Sequence, residues 1–224
     1  YPLDEVSIDF EVQSLNSNNP ERADVLLAAC RRENIEIREM SLNVAGLEAG
    51  VVDVQSLVME RAFELVVDQI ASEQNKSMVA VVDIGATTTS LYVFEKEKVI
   101  YTREQLFGGK QLTDEIENNY QLSTLEAEKA KINGELPEDY KDKVLEPFQE
   151  SIVQQISRAL QFFYSSSKFH EVDAIILTGG GSSIAGLSEF IEEKLGIKTV
   201  AANPFANMEV DKKVSSNQLS KNAA

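Results

Sequence analysis

Two stretches of this chain share one design: VVDIGATTTSLYV at 81–93 and IILTGGGSSIAGL at 175–187. In each, an apolar run too short for a helix meets a turn built of glycine and hydroxyl residues. The first turn also has an acid, Asp83, at the end of its strand. A single strand-to-glycine junction is ordinary. Two of them, about 95 residues apart, suggest two walls of one nucleotide cleft.

The chemistry of each turn follows from its residue types. In DIGATTT, Gly85 allows backbone N–H groups to approach a phosphate with no Cβ in the way, and Thr87, Thr88 and Thr89 add hydroxyl donors. Asp83 can hold Mg²⁺ opposite the phosphates, directly or through water. The plain alternative is a β-hairpin with a threonine-rich loop. In TGGGSSIAGL, three glycines leave a strand and open a helix, so unsatisfied N–H groups point above the sheet. Gly179, Gly180 and Gly181 would let an adenosine or its α-phosphate lie against the backbone. A tight turn alone would not need three adjacent glycines, which cost folding entropy. Glu128 and Lys131 are three apart on one helical face and could grip ribose hydroxyls; the same spacing also suits an exposed ion pair. Lys110 and Asp114 carry the same ambiguity. His170 has no second His or Cys nearby, which speaks against a metal role. No Ser-His-Asp or Cys-His nucleophile set is present. Phe162, Phe163 and Tyr164 read as core.

Composition narrows the partners. The 21 Lys and Arg against 37 Asp and Glu leave a net charge of −16, unsuited to a nucleic-acid backbone or an anionic membrane surface. Cys30 is the one cysteine, so no intrachain disulfide forms. No apolar run approaches the roughly 18 residues that span a bilayer.

Along the chain, EVSIDFEVQ alternates as a half-buried strand, VLLAAC (25–30) reads as a buried strand, and 31–45 as a polar helix ending at Gly46. EAGVVDVQ reads as a second buried strand, followed by a helix from Ser56 to about Ile70 carrying Leu57, Phe63 and Val67. That order implies an α/β layer with parallel pairing. A polar connector at 71–77 leads to three strands in an antiparallel meander (79–84, 90–94 and KVIYTREQL). Helices follow at about 109–120, 123–131 and 142–167, then a helix at about 183–195 and a short strand, KTVAA. The residues beyond Pro204 are polar and poor in core formers.

The stretches ADVLLAACRRENIE, AGLEAGVVDVQSLVMERAF, DIGATTTSLYVF, GGKQLTDEI, LTGGGSSIAGLSEFIEEKLGI and ANPFANMEV, with AEKAK at 127–131, resemble the actin-like ATPase superfamily. Within it they are most similar to the PilM family of type IV pilus assembly. The resemblance implies an α/β, actin-like (ribonuclease H-like) ATPase fold of two lobes with a small insert domain. Residues 1–50 would be the insert domain, 51–78 the remaining strand and helix of the first lobe, and 79–224 the second lobe. It implies ATP and Mg as cofactors, with Asp83, Gly85, Thr87 and Thr88 at the β- and γ-phosphates and the ion. Gly179, Gly180, Gly181 and Ser183 would face the adenosine, Glu128 and Lys131 the ribose, and Gln55 a water-orienting position. The first phosphate motif and the final helix of the family are expected to be missing, leaving a fragment that is at most a slow ATPase and by itself inactive. The implied role is a cytoplasmic scaffold that docks the N-terminal tail of PilN. Other inner-membrane pilus assembly proteins would be partners too, and the membrane would be reached only through partners. An FtsA-like division filament and a sugar or acetate kinase share the same fold and remain the alternatives.

Overall fold

The alternation at the start of the chain folds as β1 (Val6–Leu15), which pairs antiparallel with β2 (Ala23–Arg31). Phe10 lies opposite Leu27 and Val12 opposite Val25, so Ile8, Phe10 and Val12 share a face with Val25 and Leu27. α1 (Arg32–Val44) follows directly. The computed structural model describes residues 2–15, 19, 21–70, 77–211 and 213–214. The polar connector at 71–76 and the tail from 215 lie outside them. The chain divides into two compact units, 1–58 and 59–224, and the division falls inside α2 (Gln55–Phe63).

Unit one departs from the expected α/β layer. Its described strands, β1 and β2, form an antiparallel hairpin, and the parallel pair expected of VLLAAC and EAGVVDVQ does not form. EAGVVDVQ is not a strand: residues 47–54 have no regular structure, and Val51 and Val52 are exposed. An apolar run becomes a strand only where another strand satisfies its backbone, and none is offered among the described residues. The VLLAAC run is a strand but not a buried one, because no layer among the described residues of its unit covers it; Leu27 is 61 % exposed. α2 also ends at Phe63, with a separate 3₁₀ turn at Val67–Gln69 in place of a helix continuing to Ile70.

Unit two is built around β3 (Met78–Ile84). On one side it pairs antiparallel with β4 (Thr89–Glu95), which pairs antiparallel with β5 (Lys98–Gln105). α3 (Gly109–Tyr120) and α4 (Thr124–Asn133) follow, and the chain enters α5 (Glu146–Ser166) through a π turn at Lys141–Leu145. There the Glu146 N–H reaches Lys141 O, just before Pro147, which has no N–H to give. β6 (Ala174–Thr178) pairs parallel with β3, and after α6 (Leu187–Leu195) β7 (Lys198–Ala201) pairs parallel with β6. The strand order is therefore β5-β4-β3-β6-β7. The meander and the later helices stand where the sequence puts them, except that the last helix is split into a 3₁₀ turn (Gly180–Ser183) and α6.

β3 is apolar at almost every position because helical structure covers both faces of the sheet. Ala80, Val82 and Ile84 face a core shared with Leu112, Ile116, Ile152, Ile156 and Leu187 from the helices. Val79 and Val81 face the other side, where Phe63, Val66 and Ile70 close the sheet and Phe63 stacks on Phe94 at 4.1 Å between ring centres. β5, an edge strand, alternates exposed and half-buried residues instead. Phe162, read from the sequence as core, is 46 % exposed, with the Arg103 guanidinium 3.8 Å above its ring.

Candidate nucleotide site

The two glycine turns meet because β3 and β6 are parallel neighbours. Their register pairs Asp83 with Thr178, so both strands end side by side and both turns leave from the same edge of the sheet. The Thr178 hydroxyl donates to Asp83 Oδ1 at 3.4 Å. Asp83 is half-buried, and that desolvation pushes its carboxyl above the ordinary range, with the Thr178 bond pulling the other way.

The first turn is stapled to α3. Gly85 N–H donates to Thr88 O at 2.9 Å, closing the loop between β3 and β4. Gly109 N–H donates to Gly85 O at 2.9 Å and Lys110 N–H to Ala86 O at 2.7 Å. Gly108 permits this approach, since a Cβ there would meet Gly85 O at 2.5 Å and Ala86 O at 2.7 Å. Thr89, one of the hydroxyls read as a donor to phosphate, is buried and donates to Phe107 O at 2.7 Å, so it braces the loop from behind. On the second turn, Gly179 has φ +78°, and a Cβ would run into Asp83 Oδ1 and the Ile84 carbonyl. That glycine is what lets the two strand ends touch.

The third side comes from α3 and α4. Glu128 and Lys131 form an ion pair at 2.7 Å, and both reach Thr113: Lys131 Nζ donates to its hydroxyl at 2.7 Å, and Glu128 Oε1 lies 3.2 Å from it. Thr113 is 1 % exposed, so it is a fixed anchor that holds both charged heads. The ion-pair reading of the Glu128–Lys131 spacing is met, and the pair faces the cavity. Ahead of it on α3, the ammonium of Lys110 sits on both oxygens of Asp114, at 2.6 and 2.8 Å, and that bond raises the Lys110 pKa above its ordinary value.

These elements enclose a cavity of about 500 Å³. Gly85, Thr87, Glu128, Lys131, Gly180 and Gly181 line it, all of them picked out in the sequence. Asp83, Thr88, Gly179 and Ser183 do not line it. Asp83 and Gly179 stand just beneath, at the strand ends, and Thr88 supplies the carbonyl that closes the first turn. Ser183 is exposed, with its hydroxyl donated to Gly180 O at 2.8 Å. Gln55 opens α2, is exposed, and belongs to the other unit. Thr113, Ile132 and Ile184 are lining residues that the sequence reading passed over. Thr113 could have been found from the 109–120 helix: it lies one turn beyond Gly109, on the face that turns toward the loop.

The donor set suits a nucleotide. Backbone of two glycine turns, two ammonium groups and a carboxylate–hydroxyl pair converge on a cleft whose size falls within the roughly 300–1,000 Å³ of small-molecule sites. It suits Mg²⁺ only as an ion shared with phosphate oxygens and water. Among the described residues there is no group of three His, Cys, Asp or Glu that could hold a metal, and Asp83 is the acid at the turn.

Solved structures place the architecture. The chain is similar over 100% of its length, at 28% identity and a TM-score of 0.77, to a "PilM-PilN type IV pilus biogenesis complex", of which it covers 64% of the matched chain. MreB 5 of Spiroplasma citri, solved with AMPPNP bound, matches 77% of this chain and 60% of its own at 15% identity and a TM-score of 0.53. Ta0583, an archaeal actin homolog, matches 70% and 52% at 18% identity and a TM-score of 0.50. The last two establish the actin-like fold. The family model for the type IV pilus assembly protein PilM matches residues 1–224, and the chain belongs to that family.

Proposed function

We propose that this chain is part of an actin-like, ATP-binding scaffold of the type IV pilus assembly platform, which docks the N-terminal cytoplasmic tail of PilN. The observation that carries the reading is likeness along the entire chain to a protein solved together with PilN. Residues 1–50 are read as the insert domain of a first lobe, 51–78 as the rest of that lobe, and 79–224 as the second lobe. The scaffold is read as cytoplasmic and brought to the inner membrane by its partners; among the described residues no helix is long and apolar enough to cross a membrane.

Within this scaffold the nucleotide acts as a brace. ATP would lie with its phosphates on the Gly85–Thr87 turn and its ribose on Glu128 and Lys131. The Gly180–Gly181 backbone would lie against the adenosine. Asp83 would hold Mg²⁺ through water, and its raised pKa favours loss of the ion at low pH. The lining groups beside the threonine turn are backbone, hydroxyl and ammonium groups, which bind and orient a phosphate chain. The nucleotide's part is then to favour one conformation of the scaffold over another.

Calorimetric titration tests both halves. Mg-ATP and a synthetic PilN N-terminal peptide are each expected to bind the 224-residue chain with saturable heat. Equal heat from a scrambled peptide would remove the docking role, and no heat from Mg-ATP would remove the brace.

A further inference from the structure

We propose that Lys110 and Asp114 form a charge clasp that reads the phosphate chain: a nucleoside polyphosphate draws the Lys110 ammonium off Asp114 and onto itself. The inference rests on the nucleotide reading of the cavity.

Two ammonium groups line the cavity, and they are held very differently. Lys131 is 20 % exposed and is gripped by both Glu128 and Thr113. Lys110 is 58 % exposed, and the side-chain bonds of its ammonium go to Asp114, itself 44 % exposed. An exposed pair of this kind is screened by water and held only weakly, so a phosphate can displace it. Position favours the exchange. The Lys110 backbone is bonded to Ala86 O, which places this residue beside the Gly85–Thr87 turn, next to where phosphates would lie. Lys131 stands instead with Glu128 on α4, beside Thr124 and Ile132. A polyanion entering a chain of net charge −16 also gains most from a cation whose partner is easily left. Asp114 then sets the threshold. It competes with weak anions for Lys110 and yields to a di- or triphosphate.

The test is a double-mutant cycle read by calorimetry with ATP, ADP and adenosine on the intact chain. Lys110→Met is expected to weaken ATP roughly tenfold, as loss of a charged hydrogen bond does, and to leave adenosine unchanged. Asp114→Asn is expected to tighten ATP about threefold to fivefold by freeing the lysine. That gain must vanish in the Lys110→Met background. Its persistence there would mean that Asp114 acts only as a general negative charge, and would overturn the clasp. So would equal weakening of ATP and adenosine by Lys110→Met. Wild-type chain that binds all three ligands, with neither variant altering ATP affinity, leaves the nucleotide reading standing and removes the clasp. Wild-type chain that binds none of them removes both. Both side chains are exposed, so both variants should unfold at the parent temperature.

Discussion

The molecule contains two antiparallel hairpins of similar apolar content and opposite fate. In β3–β4, Val79 to Val82, Ile84, Leu91, Val93 and Phe94 are buried almost completely. In β1–β2, Ile8, Phe10, Val12, Val25 and Leu27 line one face and are all exposed, and no described residue before Phe63 is buried. The hairpins differ in what surrounds them. β3 has β4 on one side, β6 on the other, and helical structure over both faces. Among the described residues of their unit, β1 and β2 pair only with each other. Hydrophobicity sets the gain available from burial, while topology decides whether anything arrives to collect it.

The comparison can be broken by truncation. Phe63→Ala removes a buried ring stacked on Phe94 and is expected to cost about 3–5 kcal/mol in urea unfolding. Leu27→Ala, on the exposed hairpin, is expected to stay within about 0.5 kcal/mol. A large loss at Leu27 would mean that something covers β2 in solution. Amide exchange sharpens the same contrast, with β3 amides protected to near the global limit and those of β1 and β2 exchanging quickly.

The site tests the contrast on a smaller scale, because its parts are held by the buried hairpin. Gly179→Ala forces a side chain onto φ +78° and into the Asp83 carboxylate, at an expected cost of about 1–3 kcal/mol in thermal unfolding, and Mg-ATP affinity should fall with it. Thr113→Val keeps the shape but removes the hydroxyl shared by Glu128 and Lys131. The expected loss is about 1 kcal/mol of stability, with weaker nucleotide binding seen by calorimetry.

The smallest effect is expected at Asp83, and its sign is informative. Burial raises the folded pKa above the unfolded value of 3.8, so the native state keeps its proton to higher pH. Stability from this group is therefore lost as pH rises from 3.8 through the folded pKa, and the penalty is fully present above it. Asp83→Asn keeps the acceptor for Thr178 and carries no charge. Its melting temperature should exceed the parent's at neutral pH, match it near pH 3.8, and come with weaker Mg-ATP binding. A melting temperature below the parent's at neutral pH would show that the carboxylate is held by a favourable partner rather than strained by burial.

Much of the site was legible because its demands are local. A strand that stops at an acid and a glycine, and a strand that runs into three glycines, announce their turns wherever they occur. The meander from β3 to β5 was legible for the same reason: its connections are short, Gly85–Thr88 and Lys96–Glu97. Unit one misled because VLLAAC and VVDV carry the composition of buried strands, and periodicity cannot tell how many neighbours a strand will find. Thr113 stayed hidden because its value lies in touching Glu128 and Lys131, 15 and 18 residues further on.

By itself, then, the sequence determined the two glycine junctions, the helices between them and the Glu128–Lys131 face, since each follows from steric and hydrogen-bonding rules within a few residues. Only the tertiary structure decided that the junctions share an edge. The register of β6 against β3 sets Thr178 beside Asp83 across 95 residues, and parallel pairing is a long-range choice that no local rule encodes. Tertiary structure also separated two hairpins of similar apolar content into one buried within its unit and one left open within its own, because burial depends on what packs against a strand rather than on the strand's own residues.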